Sequence, residues 1–296
     1  MPIRHLAGWL VAVVAVASCA RPVRELDYLD QSPPGTTPER FAPGIVSTEK
    51  PELNAVFTPD GTEFYFAVNR GPMAWTIMTL RREGDRWNEP AVASFSGVYS
   101  DVDLFITADG ARLYFCSNRP ASGTDDAKAD FDIWVVEREG GGWSEPRRLD
   151  APVNSNASEF YPSLTREGVL YFQSMRPGGE GPDLYRAQPA GDGFSNVERI
   201  DPPVNSPGFE SDPFIAPDGS FLVFSRVDPA GRTRGDLFVT RRGPDGAWGP
   251  PEDLGPAVNT DGHENCPMLS PDGQYLFFTR DGDVYWVDAR VMGPPR

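Results

Sequence analysis

The sequence is poor in histidine and cysteine, with two histidines and three cysteines in 296 residues. His5 lies in an N-terminal segment that has the features of a secretion signal, so His263 is the only imidazole in the rest of the chain. Zinc sites are built mainly from histidine and cysteine, Ser-His-Asp triads need histidine, and no phosphate-binding glycine loop is present. The sequence therefore predicts no cofactor and argues against zinc or triad chemistry.

Positive charge is also scarce, and it is nowhere concentrated. The chain has 27 Lys and Arg residues against 43 Asp and Glu residues, which gives a net charge of −16 at pH 7. No basic run, and no alternation of basic and aromatic residues, is present to follow a phosphate backbone. The composition therefore argues against nucleic acid as a partner and against an electrostatic contact with anionic lipid.

Helical periodicity is missing after the first twenty residues. No later stretch combines a helical apolar pattern with caps at both ends. The 30 glycines and 31 prolines mostly separate short apolar runs. The pattern predicts an all-β protein, and a chain of this length can form a single closed β domain.

The N-terminus has the layout of a bacterial secretion signal, with Arg4 and His5 before an apolar run over 6–17 that is short for a membrane span. Its end, VASC (16–19), resembles the lipobox of bacterial lipoproteins, which implies lipidation of Cys19. The alternative is an ordinary signal peptide with Cys19 discarded. We expect a signal over 1–18, a flexible Pro-rich tether over 19–44 and a folded domain over 45–296. A lipidated Cys19 would be the chain's contact with the membrane of the bacterial cell envelope, at the outer membrane.

One hairpin pattern occurs five times along the chain. Each copy has an acidic residue and a glycine at the turn between two apolar runs, as in LFITADGARLYFCSNRP (104–120). The turn acids are Asp60, Asp109, Glu167, Asp218 and Asp272. An acid stands eight residues before each turn acid, at Glu52, Asp101, Glu159, Glu210 and Glu264. An arginine follows each second strand, at Arg70, Arg119, Arg176, Arg226 and Arg280.

Two further strands complete each repeat. The third begins with Asp in most repeats, and the fourth follows a Gly-rich turn and an aromatic residue. Four antiparallel strands per repeat of roughly this length are typical of a β-propeller blade. We therefore predict a single propeller of five blades, since six would require one badly degenerate blade. The fifth repeat ends after its third strand, and IVSTEKPE (45–52), which matches PVNSNASE (152–159), is predicted to supply the missing strand and close the ring.

Two of the repeats resemble a known family. ENCPMLSPDGQYLFFTR (264–280) and ESDPFIAPDGSFLVFSR (210–226) are similar to the WD40-like PD40 repeats of the TolB propeller. The resemblance covers about 45–291 and implies a propeller in the cell envelope. The chain lacks TolB's N-terminal α/β domain, so the resemblance does not carry over TolB's role.

Antiparallel pairing places the leading acid and the arginine of each hairpin at the same end. The closing loops, with Asn154, Asn205 and Asn259, are predicted at that end too, which we call the rim. Because the pattern recurs in every blade, the simpler interpretation is structural: arginine–carboxylate pairs that join the blades. The functional alternative is a ligand or partner bound in the central depression that these groups surround.

Departures from the repeat are further candidates, among them Tyr99, which replaces the loop asparagine, and Asp103 and Tyr161, which are predicted to lie close to the rim. His263 is predicted on the rim beside Glu264, most simply as a loop residue. The loop after the second strand of blade two is acidic and is a weak Ca²⁺ candidate, although a solvated acidic loop is the simpler interpretation. Its acids are Asp125, Asp126, Asp130 and Asp132. Cys116 and Cys266 are predicted to be buried, unpaired thiols.

Three functions remain open from the sequence. The first is a non-catalytic binding or scaffold lipoprotein of the envelope that engages a protein, peptide or glycan through the propeller mouth. The second is a carbohydrate-active enzyme that uses rim carboxylates, although paired arginines would lower the pKa of those groups and suit a general acid poorly. The third is a structural role in the Tol-Pal or outer-membrane assembly machinery.

Overall fold

Five antiparallel sheets form a closed ring in the computed structural model, which describes residues 26–72, 74–121, 126–178, 181–231 and 234–294. The first strands of neighbouring blades pack against one another, and those of the first and fifth blades complete the circle. The prediction of an all-β propeller with five blades is confirmed. Within the described ranges, no helix is long and apolar enough to cross a membrane.

The strands follow the predicted order of the repeats. The chain enters the fold at β1 (Glu39–Arg40). Blade one contains β2 (Glu52–Phe57), β3 (Glu63–Asn69), β4 (Trp75–Glu83), β5 (Arg86–Trp87) and β6 (Ala91–Val92). Blade two contains β7 (Asp101–Ile106), β8 (Arg112–Ser117), β9 (Asp132–Glu139), β10 (Gly142–Trp143) and β11 (Arg147–Arg148).

The remaining blades have the same plan. Blade three contains β12 (Glu159–Leu164), β13 (Leu170–Ser174), β14 (Asp183–Ala190) and β15 (Gly193–Arg199). Blade four contains β16 (Phe209–Ile215), β17 (Phe221–Val227), β18 (Asp236–Arg241) and β19 (Glu252–Asp253). Blade five contains β20 (Glu264–Leu269), β21 (Tyr275–Arg280) and β22 (Asp283–Asp288), and a 3₁₀ helix (Ala289–Met292) follows.

The acidic turn residues explain why the hairpins form where the sequence repeats. The Oδ1 atom of Asp109 accepts hydrogen bonds from the backbone N of Ala111 at 3.0 Å and from Oγ1 of Thr107 at 2.6 Å. These bonds lower the pKa of Asp109. Gly110 follows with a φ of 70°, a conformation that glycine adopts without a steric penalty. The turn chemistry therefore fixes the hairpin locally.

The second strand of each blade forms the middle of the core. In blade one, Phe64, Tyr65 and Phe66 are consecutive and all are buried. Side chains of consecutive strand residues point to opposite faces, so this strand is covered by a neighbouring blade on each side. The second strands are apolar on both faces because each is packed between two neighbouring blades.

Closure of the ring corrects one prediction. A strand from the N-terminal side does complete blade five, but it is β1, with Arg40 opposite Tyr285, and it lies upstream of the predicted segment 45–52. The segment 45–52 matches 152–159 in sequence, and 152–159 is the loop that leads from β11 to the first residue of β12. The match itself is real, since Thr48 donates to Glu52 as Ser155 donates to Glu159. Both segments are loops that lead into a first strand.

The packed part of the chain also begins before the predicted boundary at residue 45. Tyr28 and Phe41 are buried, and their rings lie 5.3 and 5.2 Å from that of Trp286. Residues 26–44 therefore belong to the propeller, which corrects this part of the tether predicted for 19–44. The predicted signal (1–18) and Cys19 lie outside the described residues.

Candidate functional site

The rim contains the predicted acid–arginine pairs in blades two to five. The five leading acids are completely buried: Glu52, Asp101, Glu159, Glu210 and Glu264. The N–O distances are 2.7 Å for Arg119–Asp101, 3.2 Å for Arg176–Glu159, 2.8 Å for Arg226–Glu210 and 2.8 Å for Arg280–Glu264. Each arginine therefore provides a counter-charge to a carboxylate that has no access to solvent.

These arginines also hold the loop that arrives from the preceding blade. Nη2 of Arg176 donates to the carbonyl oxygen of Val153 at 2.5 Å, and Nη2 of Arg226 donates to that of Val204 at 2.6 Å. Arg119 and Arg280 make the corresponding bonds to the carbonyls of Phe95 and Val258. One guanidinium therefore joins a hairpin to the incoming loop, which favours the structural interpretation of the rim arginines.

Blade one departs from this pattern. Arg70 is exposed, and its Nη2 atom lies 3.7 Å from the sulfur of Met78. Glu52 accepts hydrogen bonds from the backbone N of Thr48 at 3.2 Å and from its hydroxyl at 2.5 Å. Burial raises the pKa of Glu52, although the bonds from Thr48 oppose that shift. The leading acid of blade one thus keeps the hydroxyl bond that the other blades also have, but among the described residues it lacks their guanidinium partner.

The three loop asparagines are used inside their blades. Oδ1 of Asn205 accepts from the N of Leu184, and Nδ2 donates to the carbonyls of Leu184 and Ile200. Asn154 makes the same set of bonds in blade two, and Asn259 bonds the backbone of Leu237 in blade four. These amides connect the third strand to the segment after the fourth.

The first strands carry a repeated feature that sequence reasoning missed. Every first strand has a register shift next to the residue two positions after its leading acid, and that residue has a φ between 49° and 63°. Positive φ is rare outside glycine, and the register shift is a β-bulge. The five residues are Asn54, Asp103, Tyr161, Asp212 and Cys266. We call them the axial ring, because the innermost strand of each blade contributes one.

Contacts between blades hold the axial ring together. Oδ1 of Asn54 accepts from the backbone N of Asp103 at 3.2 Å, across the boundary of blades one and two. The hydroxyl of Tyr161 in blade three donates to the carbonyl of Pro267 in blade five at 2.7 Å. Blades three and five are not neighbours, so this bond crosses the centre of the propeller.

A cavity of about 240 Å³ lies against the axial ring, and we call it the axial pocket. Its apolar lining consists of Leu53, Trp75, Val102, Phe131 and Phe160. Its polar lining consists of Asp103, Gln173, Asp212, Asn265 and Cys266. The rings of Phe131 and Phe160 lie 5.2 Å apart. The lining of the pocket therefore combines aromatic side chains with carboxyl and amide groups.

The two carboxyl groups of this pocket differ from the rim acids in their partners. Among the described residues, no Lys or Arg forms an ion pair with Asp103 or Asp212. Burial raises the pKa of Asp103 well above its usual range, and the nearby charge of Asp212 adds to that shift. Burial also raises the pKa of Asp212, while the backbone N of Cys266 and the charge of His263 oppose it. Burial thus raises the pKa of both carboxyl groups, and the charge of Asp212 raises that of Asp103 further.

The predicted cysteines lie near this pair. Cys116 and Cys266 are free and buried, which confirms the prediction of unpaired thiols. Burial raises the pKa of both thiols well above the usual range, and the charges of Asp103 and Asp212 raise each of them further. A thiol in such surroundings stays protonated and behaves as a small apolar side chain.

The remaining candidates are His263 and the acidic loop of blade two. His263 is partly buried, and a Cβ atom on Gly235 would lie 2.4 Å from its Cδ2 atom. In the acidic loop, Nζ of Lys128 lies 2.8 Å from Asp130 and also contacts Asp132. Asp126 is exposed, and Asp125 lies outside the described residues. In the part of the chain that the structure describes, no group of three or more His, Cys, Asp or Glu side chains is arranged to hold a metal ion.

Comparisons with known proteins support the fold. No family model matches the chain, and no curated protein matches it. Among solved structures, an endo-arabinase from Bacteroides thetaiotaomicron is 13% identical, with a TM-score of 0.53 over 83% of this chain and 96% of that one. A protein assigned as TolB from Agrobacterium tumefaciens is 17% identical, with a TM-score of 0.50 over 79% and 71%. The chain is a β-propeller.

A third propeller shows how widely this fold is used. A gluconolactonase from Xanthomonas campestris is 11% identical, with a TM-score of 0.50 over 82% of this chain and 87% of that one. Identities this low establish the architecture alone, because unrelated functions share one propeller fold. The function of this propeller has to be argued from its own residues.

Proposed function

We propose that this protein is a non-catalytic binding propeller of the bacterial cell envelope that holds a hydroxyl-rich group, such as the terminal sugar of a glycan, in its axial pocket. The observation that carries the proposal is the mixed lining of the pocket, in which aromatic side chains occur together with carboxyl and amide groups. A sugar ring has an apolar face and a periphery of hydroxyl groups, and this mixed lining offers partners for both. Ligand pockets are commonly apolar with a few well-placed polar groups.

The polar lining of the pocket offers both donors and acceptors of hydrogen bonds. Asp212 and the carbonyl oxygens of Gln173 and Asn265 accept hydrogen bonds, and the amide groups of the last two donate them. A hydroxyl group donates one hydrogen bond and accepts others, so it matches this mixture better than a simple ion does. At about 240 Å³, the pocket suits a single ring rather than a long chain.

The rim supports this choice of pocket. Four of its five leading acids already hold an arginine of the same blade, and all five are completely buried, so a ligand has little access to them. The axial carboxyls have no such counter-charge. Attachment to the envelope through lipidated Cys19 is part of the proposal and rests on the N-terminal sequence pattern.

A glycan array tests the proposed binding. We expect the purified protein to bind a subset of glycans, and Phe160→Ala and Asn265→Ala to weaken that binding by about tenfold each, because the first variant removes an aromatic contact and the second removes a hydrogen-bonding amide from the pocket. Glu198→Ala is the matched control, since Glu198 is exposed on β15 and pairs with Arg186. Circular dichroism would confirm that all three variants fold. The proposal fails if no glycan binds, or if both pocket variants bind as well as the wild type.

Hydrolysis of the bound glycan is the second candidate function, and one observation favours it. Asp103 lines the pocket with Asp212, and its pKa is raised by burial and by the charge of that neighbour, which is an environment that suits a general acid. These carboxyls would replace the rim acids as the candidate catalytic pair. Release of a reducing sugar by the wild type but not by Asp103→Asn would select this function over simple binding.

A further inference from the structure

Blades two, three and five share an ion pair outside the leading-acid rim. The aspartate that begins the third strand is bound by an arginine of the outermost strand. The N–O distances are 2.7 Å for Arg148–Asp132, 2.6 Å for Arg199–Asp183 and 2.7 Å for Arg40–Asp283. The recurrence shows that this position in the blade accepts a guanidinium.

The strand register defines the position of that arginine. Arg148 lies opposite Trp134, Arg199 opposite Tyr185 and Arg40 opposite Tyr285, in each case two residues after the aspartate. In blade four the corresponding residue is Asp253, which lies opposite Phe238. The partner of Asp236 is thus replaced by a residue of the opposite charge.

Asp236 is consequently a buried carboxylate without a counter-charge. It is nine-tenths buried, and no hydrogen bond or ion pair joins its side chain to the rest of the described chain. Burial raises its pKa to about 6, with the charges of Asp253 and Glu264 adding to that shift. The Oε2 atom of Glu264 is also buried and has no hydrogen-bond partner among the described residues.

A surface cavity opens at this place. It has a volume of about 370 Å³, and we call it the blade-four pocket. Its polar lining consists of Arg234, Asp236, Asp253, Asn259, Thr260 and Asp261. Nη1 of Arg234 lies 4.0 Å from Asp281, and the Arg234 side chain is mostly exposed. Asp253 uses its Oδ1 atom to accept from the N of Gly255, which leaves Oδ2 available.

We propose that the blade-four pocket binds the guanidinium group of an arginine side chain from a partner protein or peptide. The incoming arginine takes the place that the protein's own arginine holds in blades two, three and five. A planar guanidinium can bond two carboxylate oxygens at once, as Arg148 does with Asp132 through Nε and Nη2 at 2.7 Å each. The net charge of −16 also favours a partner with basic side chains, because it attracts positive charge.

A guanidinium fits the pocket better than a metal ion does. None of the described His, Cys, Asp and Glu residues form a group of three placed to hold a metal. In blades two, three and five, the strands that correspond to those of Asp236 and Asp253 are joined by an aspartate–arginine ion pair. This proposal is independent of the axial pocket, because it uses none of the same residues.

Calorimetry with N-acetyl-arginine amide and the peptide Gly-Arg-Gly tests the proposal. We expect both probes to bind the purified protein, and Asp236→Asn to weaken binding by about tenfold or more, because it removes the charge that faces the guanidinium. Asp183→Asn is the matched control and should leave binding unchanged, since blade three already has Arg199. Asp253→Arg restores the arginine that the other blades have, so it should abolish binding and raise the melting temperature.

The outcomes separate the proposal from its alternatives. Absence of saturable binding by either probe, or equal binding by the wild type and Asp236→Asn, would overturn it. Binding of CaCl₂ without binding of the arginine probes would also overturn it and would indicate a cation site instead. Equal binding by Arg234→Ala and the wild type supports an arginine from outside. A large gain in affinity in that variant would show that Arg234 occupies the pocket itself. If Asp236→Asn does not fold, Asp253→Arg decides the question alone.

Discussion

The leading acids of the rim and the residues of the axial ring lie two positions apart on the same strands, but they differ in their charge partners. At the rim, Glu159 is buried beside Arg176, and the same arrangement recurs in four blades. At the axial ring, the backbone is equally regular, but the five blades carry five side chains of four kinds, and Asp103 has no cation beside it. Residues that recur with their partners maintain the blades. Residues that vary on a recurring backbone are free to define a ligand.

Removal of a rim arginine should produce the largest effect. Arg176→Ala leaves Glu159 completely buried, with only hydroxyl and amide donors, so we expect the free energy of unfolding to fall by about 3 kcal/mol. Urea denaturation at pH 7.5 measures the change. The matched control is Arg70→Ala, since Arg70 is exposed and Glu52 is held by Thr48 instead; a change within about 0.5 kcal/mol is expected there. Equal losses in both variants would contradict the structural role assigned to the rim pairs.

Removal of an axial carboxyl should have a smaller effect of the opposite sign. Because the pKa of Asp103 is raised on folding, the folded protein binds more protons than the unfolded chain, and its stability falls as pH rises through the folded pKa. Asp103→Asn removes this penalty. We expect it to be more stable than the wild type by about 1–2 kcal/mol at pH 8, with the difference narrowing to near zero at pH 4.

Thermal melting of both proteins from pH 4 to pH 8 measures this dependence. A carboxylate paired with arginine would give the reverse trend, with the variant less stable at high pH. That result would show that Asp103 has a counter-charge, and it would remove the contrast between the rim and the axial ring.

The smallest effect concerns the thiol that occupies the same axial position. Cys266 and Cys116 are buried, and burial raises the pKa of both, so neither should react with a thiol reagent such as DTNB in the folded protein at pH 8. With Cys19 replaced by serine, we expect no labelling in minutes and two thiols labelled in urea. Rapid labelling of one thiol without urea would mean that the axial ring opens to solvent.

The sequence was sufficient for the hairpins and for the rim pairs. The interval from Glu159 to Arg176 matches the two arms of a hairpin, so antiparallel pairing had to bring these residues together. The axial ring was missed because the bulge at Tyr161 interrupts the alternation of faces on which such reasoning depends. A usable clue was present, since Asp103 and Asp212 are acids within apolar strands and have no arginine at a repeated spacing.

The closing strand shows a different limit. β1 contains only two residues, too few to produce an alternating pattern, whereas the adjacent loop at 45–52 carries a clear motif. The sequence motif therefore indicates the loop at 45–52, rather than β1, as the closing strand. The missing arginine of blade four could be read only after the strand register had aligned Asp253 with Arg148 and Arg199.

Closure by β1 also determines when this protein can finish folding. Arg40 meets Tyr285 across 245 residues of sequence, so blade five cannot be completed until these two distant segments have come together. Contacts at such long sequence separation form slowly. Until they form, the rings of Phe41 and Trp286, both fully buried in the finished propeller, lack their cover and are open to association with other chains. The propeller is therefore most vulnerable to aggregation late in folding, before β1 and β22 pair.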